Sequence, residues 1–271
     1  VNTTRTTPAT PATAGPPATR PAGTPLAGWT ALIGAEARMV ARDTSGLIVP
    51  FALPLLILTM IGLTMPDIPP EALDGRTPLE AVGIPVAAAT VLGLVGIVNV
   101  PSFLASYRRT GVLRRLGVTP AGPVPVLVAQ IVVGLAQVLV GIGLALVVAV
   151  LAFDAGLPAS PWAAVGGLLL ATVAFFSLGA LLAALAPTTN AVIAGGLVIF
   201  LGTGALGGMF GDPNALPGSL KEIGKVLPFG ATVEMLGTAW RGVPPQLGSV
   251  LGLVIVALVG AIGAARWFRW E

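Results

Sequence analysis

The residues able to do chemistry are few in this sequence, and most stand at the edges of long apolar runs. Of 271 residues, 9% are charged and 55% are hydrophobic, with no Cys and no His. Thiol nucleophiles, imidazole bases and the usual zinc ligand sets are therefore missing. A loop that wraps backbone amides around phosphates needs G-x-x-x-x-G-K-[ST]. The nearest approach is Gly218 with Gly224 and Lys225, one residue too long, with Val226 where the hydroxyl belongs. There is no H-E-x-x-H pattern, no nucleophile elbow and no carboxylate pair inside an apolar run. No catalytic residue, metal site or cofactor is expected in this chain. The densest charge is "SYRRTGVLRRLGVTP", Ser106 to Pro120, with four arginines in fifteen residues.

The elements that must position these charges follow from the hydropathy. A mean hydropathy of +0.94 leaves too little polar surface to cover a water-soluble globule. Uncharged runs cover 44–66, 81–107, 116–153, 155–211 and 242–265. About twenty apolar residues in a helix cross a hydrocarbon core of about 30 Å. The run 155–211 holds two such helices, broken at "APTTN", Ala186 to Asn190. The sequence thus predicts an all-α polytopic membrane protein with six transmembrane helices, near 46–65, 82–104, 124–152, 162–185, 190–210 and 245–265. A β-barrel would show alternating polarity, and these runs are uniformly apolar.

Outside those spans, ten Lys and Arg fall on one side: Arg5, Arg20, Arg38, Arg42, Arg108, Arg109, Arg114, Arg115, Arg266 and Arg269. Four fall on the other: Arg76, Lys221, Lys225 and Arg241. The positive-inside rule makes the first side cytoplasmic. An even number of helices puts both termini there, in agreement with the charge count.

Residues 1–26, rich in Pro, Thr and Ala, read as a disordered cytoplasmic tail, and 27–271 as one membrane domain. Gly28 to Asp43 reads as an interfacial amphipathic helix. Trp29, Leu32, Ile33, Met39 and Val40 share one face, with Arg38 and Arg42 on the other. Glu36 falls within the apolar face, and two readings fit it. It snorkels to water, or it pairs with Arg108 or Arg109 of the next connection. Between helices five and six, Leu216 to Pro228 and Gly230 to Trp240 read as two short outer helices. Trp240 is expected in the interfacial aromatic belt.

Three readings fit the arginine stretch. It fixes topology and touches anionic lipid; it binds nucleic acid, for which four arginines beside a membrane make a poor reader; or it docks a soluble partner through an apolar ridge with a charged rim. No coupling-ion site or built-in motor is visible in the spans, which favours the last.

"GVLRRLGVTP" resembles the loop after the second helix in ABC type-2 permeases, through Gly111, Leu113, Leu116, Thr119 and Pro120. Val112 stands where Thr is usual, and Arg108 and Arg109 stand where an acidic residue is often found. Pro187, Thr188, Gly207, Gly208, Met209, Phe210, Leu216, Pro217, Leu227 and Pro228 resemble the family's segment from the start of helix five onward. The resemblance implies the permease subunit of an ATP-binding-cassette exporter of a hydrophobic or amphipathic compound. The implied partners are a separate ATPase subunit that binds the ATP, a second permease chain as a homodimer, and the bilayer, with no nucleic acid. The implied place is a bacterial plasma membrane. The ATPase-docking surface would comprise Arg108, Arg109, Gly111, Leu113, Arg114, Arg115 and Leu116, with Trp29, Glu36, Arg38 and Arg42 on the interfacial helix. Asn99, Phe200, Met209 and Phe210 would line the substrate path. A membrane scaffold that transports nothing, or a membrane-embedded enzyme, are the other classes that fit the composition.

Overall fold

The computed structural model describes residues 25–64, 70–111, 124–211 and 213–267. Most of these residues are helical, with no strand among them. An interfacial helix α1 (Pro25–Arg42) precedes the first spanning helix α2 (Thr44–Thr64). The other spanning helices are α3 (Leu79–Arg109), α4 (Val124–Phe153), α5 (Pro161–Leu185), α6 (Thr189–Leu206) and α9 (Leu247–Trp267). Two shorter helices, α7 (Gly218–Val226) and α8 (Pro228–Arg241), separate α6 from α9. Among the described residues six helices are thus long and apolar enough to cross a membrane, each within a few residues of its expected span. Of the tail expected over 1–26, only Pro25 and Leu26 lie within the described residues, where they open α1.

Helix α3 is the axis of the bundle. It is almost entirely buried, whereas α2, α4, α5, α6 and α9 each turn an apolar face outward. On α4 that face includes Ile131, Leu135, Leu139 and Leu151. Such faces suit the apolar interior of a membrane, where helices leave no backbone group without a partner. The core around α3 contains Val91, Leu92, Val95, Ile97, Phe175, Phe200, Phe229 and Leu253. The rings of Phe200 and Phe229 meet edge to face at 6.3 Å.

In lipid the hydrophobic effect does not pull helices together, so close packing must hold them. Gly179 of α5 lies against the Gly96 carbonyl, and Gly196 of α6 against the Ile97 carbonyl, where an added Cβ would stand at 2.7 Å. Gly252 of α9 packs against the Val226 carbonyl at the end of α7, while Gly208 takes a positive φ of 91° in the turn after α6.

Helix α3 widens to π-winding twice, at Leu79–Gly83 and Leu94–Asn99. Each π segment ends just before a proline, Pro85 or Pro101. Proline has no N–H and its ring crowds the carbonyl four residues back, here Ala81 and Ile97. The wider winding relieves that clash: the Ile84 N–H bonds to the Leu79 carbonyl, and the Val100 N–H to the Val95 carbonyl. A glycine of a neighbouring helix then covers each crowded carbonyl. Gly237 approaches Ala81, and Gly196 approaches Ile97.

The short helices differ from expectation. Helix α7 keeps an exposed apolar side at Leu220 and Ile223, but α8 is buried along nearly its whole length. Phe229 at its start touches Phe200, and Met235 and Leu236 meet α5 near Gly167. Trp240 at its end is 5% exposed and donates its indole N–H to the Gly156 carbonyl at 3.1 Å. Trp240 is thus a packing residue under the α4–α5 connection instead of a member of an interfacial belt. Helices α7 and α8 form a hairpin wedged into one end of the bundle.

Candidate functional site

The two ends of the bundle are chemically distinct. One end carries α1 with exposed Arg38 and Arg42, the last turn of α3 with Arg108 and Arg109, and the α5–α6 junction. The last turns of α9 lie there too, with Gly263 packed on Leu181. Both ends of the described chain therefore lie at this basic end.

At the basic end one helical turn sends its side chains three ways. The Tyr107 hydroxyl donates to Glu36 Oε2 of α1. Arg108 turns to α5, where Nη1 donates to the Ala183 carbonyl at 3.0 Å and Nη2 to the Ala186 carbonyl. Arg109 is exposed. Successive residues on a helix point about 100° apart, so adjacent arginines do different work. The carbonyls Arg108 binds are among the four that every helix C-terminus leaves without an N–H partner, and a cation there also opposes the helix dipole. Behind Arg108, Ala105 packs on Ala186 and Val192 across the α5–α6 junction. Thr188 caps α6 by accepting the Ala191 N–H at 3.1 Å. Gly111, with φ of 69°, ends α3; this left-handed conformation suits glycine at a helix C-terminus.

Two expectations for Glu36 are corrected. It does not snorkel, being only 5% exposed. Its partner is the Tyr107 hydroxyl, and Arg108, one residue further round the helix, is committed to α5. Burial pushes the Glu36 carboxyl above its usual range, and the Tyr107 hydrogen bond offsets this in part. A clue was present in the sequence: a carboxyl on an apolar face needs a donor, and Tyr107, the chain's one tyrosine, stands just before the arginine pair.

The rest of the expected docking surface, Leu113, Arg114, Arg115 and Leu116, lies outside the described residues. Trp29 is 38% exposed on α1.

The residues expected along a path scatter. Asn99 is buried, donating Nδ2–H to the Gly46 carbonyl at 3.0 Å and to Gln137 Oε1 at 3.2 Å. These bonds join α2, α3 and α4, the usual fate of polar side chains between membrane helices. Gln130, two turns from Gln137, is 1% exposed, and its amide atoms have no partner among the described residues. Phe200 and Met209 are buried in the core around α3, whereas Phe210 is 68% exposed.

At the opposite end Thr77 and Glu80 form a reciprocal cap on α3. The Thr77 N–H donates to Glu80 Oε2 at 3.0 Å, and the Glu80 N–H donates to Thr77 Oγ1 at 3.3 Å. This is the capping-box arrangement. Glu80 Oε1 also accepts the Gly156 N–H, and Arg76 donates to the Leu157 carbonyl at 3.1 Å. Arg241 faces Asp74 at 3.5 Å. A cavity of about 240 Å³ opens between α7, α8 and the start of α3, with Lys221, Lys225, Glu234 and Arg241 among its lining residues. Among the described residues at this end, Arg76, Glu80, Asp74 and Arg241 hold connections together, and Lys225 pairs with Glu222 within α7.

The sequence matches the family model described as ABC-2 type transporter over residues 28–239. That range begins in α1 and ends within α8, so it takes in both the basic end and the wedged hairpin. No curated protein matches the chain.

Proposed function

This chain belongs to the ABC-2 type transporter family and is a membrane-embedded permease; we propose that it is the passive conduit of an ATP-driven exporter, powered by a separate nucleotide-binding subunit at its basic end. The observation that carries this reading is the family match over 28–239 on a chain whose sequence contains no P-loop. The basic end faces the cytoplasm in this reading, which the excess of Arg and Lys there supports. Arg109, Arg38 and Arg42 are exposed at that end, and with Gly111, Leu113, Arg114, Arg115 and Leu116 they form the docking surface for an acidic or mixed-charge face of the ATPase. The membrane is the plasma membrane, and two copies of the permease pair around the transport path.

ATP binding by the partner draws two motor subunits together and moves α1 and the 106–120 connection. That displacement shifts the helices between inward-open and outward-open states, to the extent that the nucleotide favours one state. Because Asn99, Phe200 and Met209 serve internal packing, the path runs along the outward face of α6, where Ile193, Leu197 and Leu201 are exposed, and past Phe210. An apolar wall of this kind suits a hydrophobic or amphipathic cargo, for which it needs no dedicated polar contacts.

Co-purification with the partner tests the reading. The wild-type chain should bring down a P-loop ATPase that hydrolyses ATP in the complex. Arg114→Glu with Arg115→Glu should reduce the recovered ATPase at least tenfold while membrane insertion is unchanged. Retention of the ATPase by that double variant would remove the loop from the docking surface.

A further inference from the structure

We propose that Arg108 is a positioning residue that carries partner-driven movement from the end of α3 to the α5–α6 junction; this rests on the function proposed above. Sequence position alone groups Arg108 with the docking arginines. The geometry separates it from them. Its guanidinium is turned inward and holds two main-chain carbonyls, Ala183 at 3.0 Å and Ala186 beside it. Those carbonyls end α5, and the chain then runs through Pro187 to the Thr188 cap of α6. A planar fork with several fixed donors suits two acceptors at once, which the point charge of a lysine does not.

The turn that carries Arg108 is tied on another side to α1, through Tyr107 and Glu36. It therefore joins three bodies: the interfacial helix, the axial helix α3, and the junction between α5 and α6. Ala105, Ala186 and Val192 form a buried apolar cluster beside it, so α3 and the α5–α6 junction are packed together at this joint. Movement imposed on α1 or on the connection after Gly111 reaches α6, whose outward face lines the proposed path, through this joint. Arg109, exposed on the same turn, meets the partner, and Arg108 relays.

The chain has no cysteine, so spin labels can be placed without background. Asn190→Cys on α6 and Val128→Cys on α4, both at exposed positions of the basic end, report the position of the junction relative to α4. The label distance is measured by electron spin resonance in the membrane complex with its ATPase, nucleotide-free and after trapping with ATP and vanadate. With Arg108 present, trapping should shift the distance distribution. With Arg108→Ala the shift should be lost, while the ATPase stays bound, ATP hydrolysis continues and the nucleotide-free distance is unchanged. Arg108→Lys, which can satisfy one carbonyl at a time, should restore part of the shift and guards against misfolding of the alanine variant.

An unaltered shift in Arg108→Ala overturns the proposal. So does loss of the ATPase from that variant, which would make Arg108 a docking residue, or a changed nucleotide-free distance in both variants, which would make its role structural. Failure of the parent chain to recruit any ATPase would instead overturn the proposed function itself.

Discussion

Glu36 is the residue whose surroundings most constrain its chemistry. Its carboxyl is folded under α1 against the Tyr107 hydroxyl, and burial raises its pKa. A carboxyl whose folded pKa lies above its unfolded value stabilises the fold most when protonated. Its contribution is complete below the unfolded value, near 4.5, and is lost as pH rises through the folded value. The melting temperature of the purified protein in detergent should therefore contain a component that falls with rising pH above about 4.5. Glu36→Gln, which keeps the hydrogen-bonding capacity without the charge, should remove that component and equal or exceed the parent at neutral pH. A variant that retains the full pH dependence would show that another group is responsible.

At the scale of the element, α3 shows how a membrane helix tolerates two internal prolines. Pro85 and Pro101 each crowd a carbonyl, π-winding makes room, and Gly237 and Gly196 pack over the crowded groups. Gly179 makes a similarly close approach on the Gly96 carbonyl. A methyl group there would overlap main-chain oxygen, which cannot rotate aside. Overpacking of this kind costs about 1–3 kcal/mol. Gly179→Ala should accordingly lower the melting temperature measurably. Gly143→Ala on α4, where nothing lies within 4 Å, should leave it unchanged or raise it through better helix propensity. Equal melting temperatures for the two variants would mean that the α3–α5 contact is looser than described.

Legibility in the sequence followed the same physics. The six spanning helices were visible because lipid demands long uncharged runs, and the breaks between them fall at charges or at Pro and Thr. The interfacial helix was visible through its two-faced spacing. The burial of α8 was not: Val233, Leu236 and Trp240 at helical spacing describe an amphipathic surface helix equally well. Only the density of small residues, Gly230, Ala231, Gly237 and Ala239, separates a wedge between helices from a cap lying on them. At the basic end the sequence located the arginine cluster but not its division of labour. Which way Arg108 and Arg109 point depends on the phase of α3, and two π segments shift that phase by an amount no simple period records.

At the scale of the whole molecule, an axial helix is gripped by glycine contacts, an apolar exterior meets lipid, and charge is confined to the two ends. The sequence contains no P-loop, and Arg38, Arg42 and Arg109 are exposed at the basic end. The most direct test uses the purified chain in liposomes with ATP and an amphipathic fluorescent dye supplied outside, with and without its ATPase partner, so that chains whose basic end faces outward would carry dye into the lumen. The account predicts no dye accumulation and no ATP hydrolysis by the chain alone, even under an imposed proton or sodium gradient, and both activities once the partner is added. Uphill dye movement by the chain alone would contradict it.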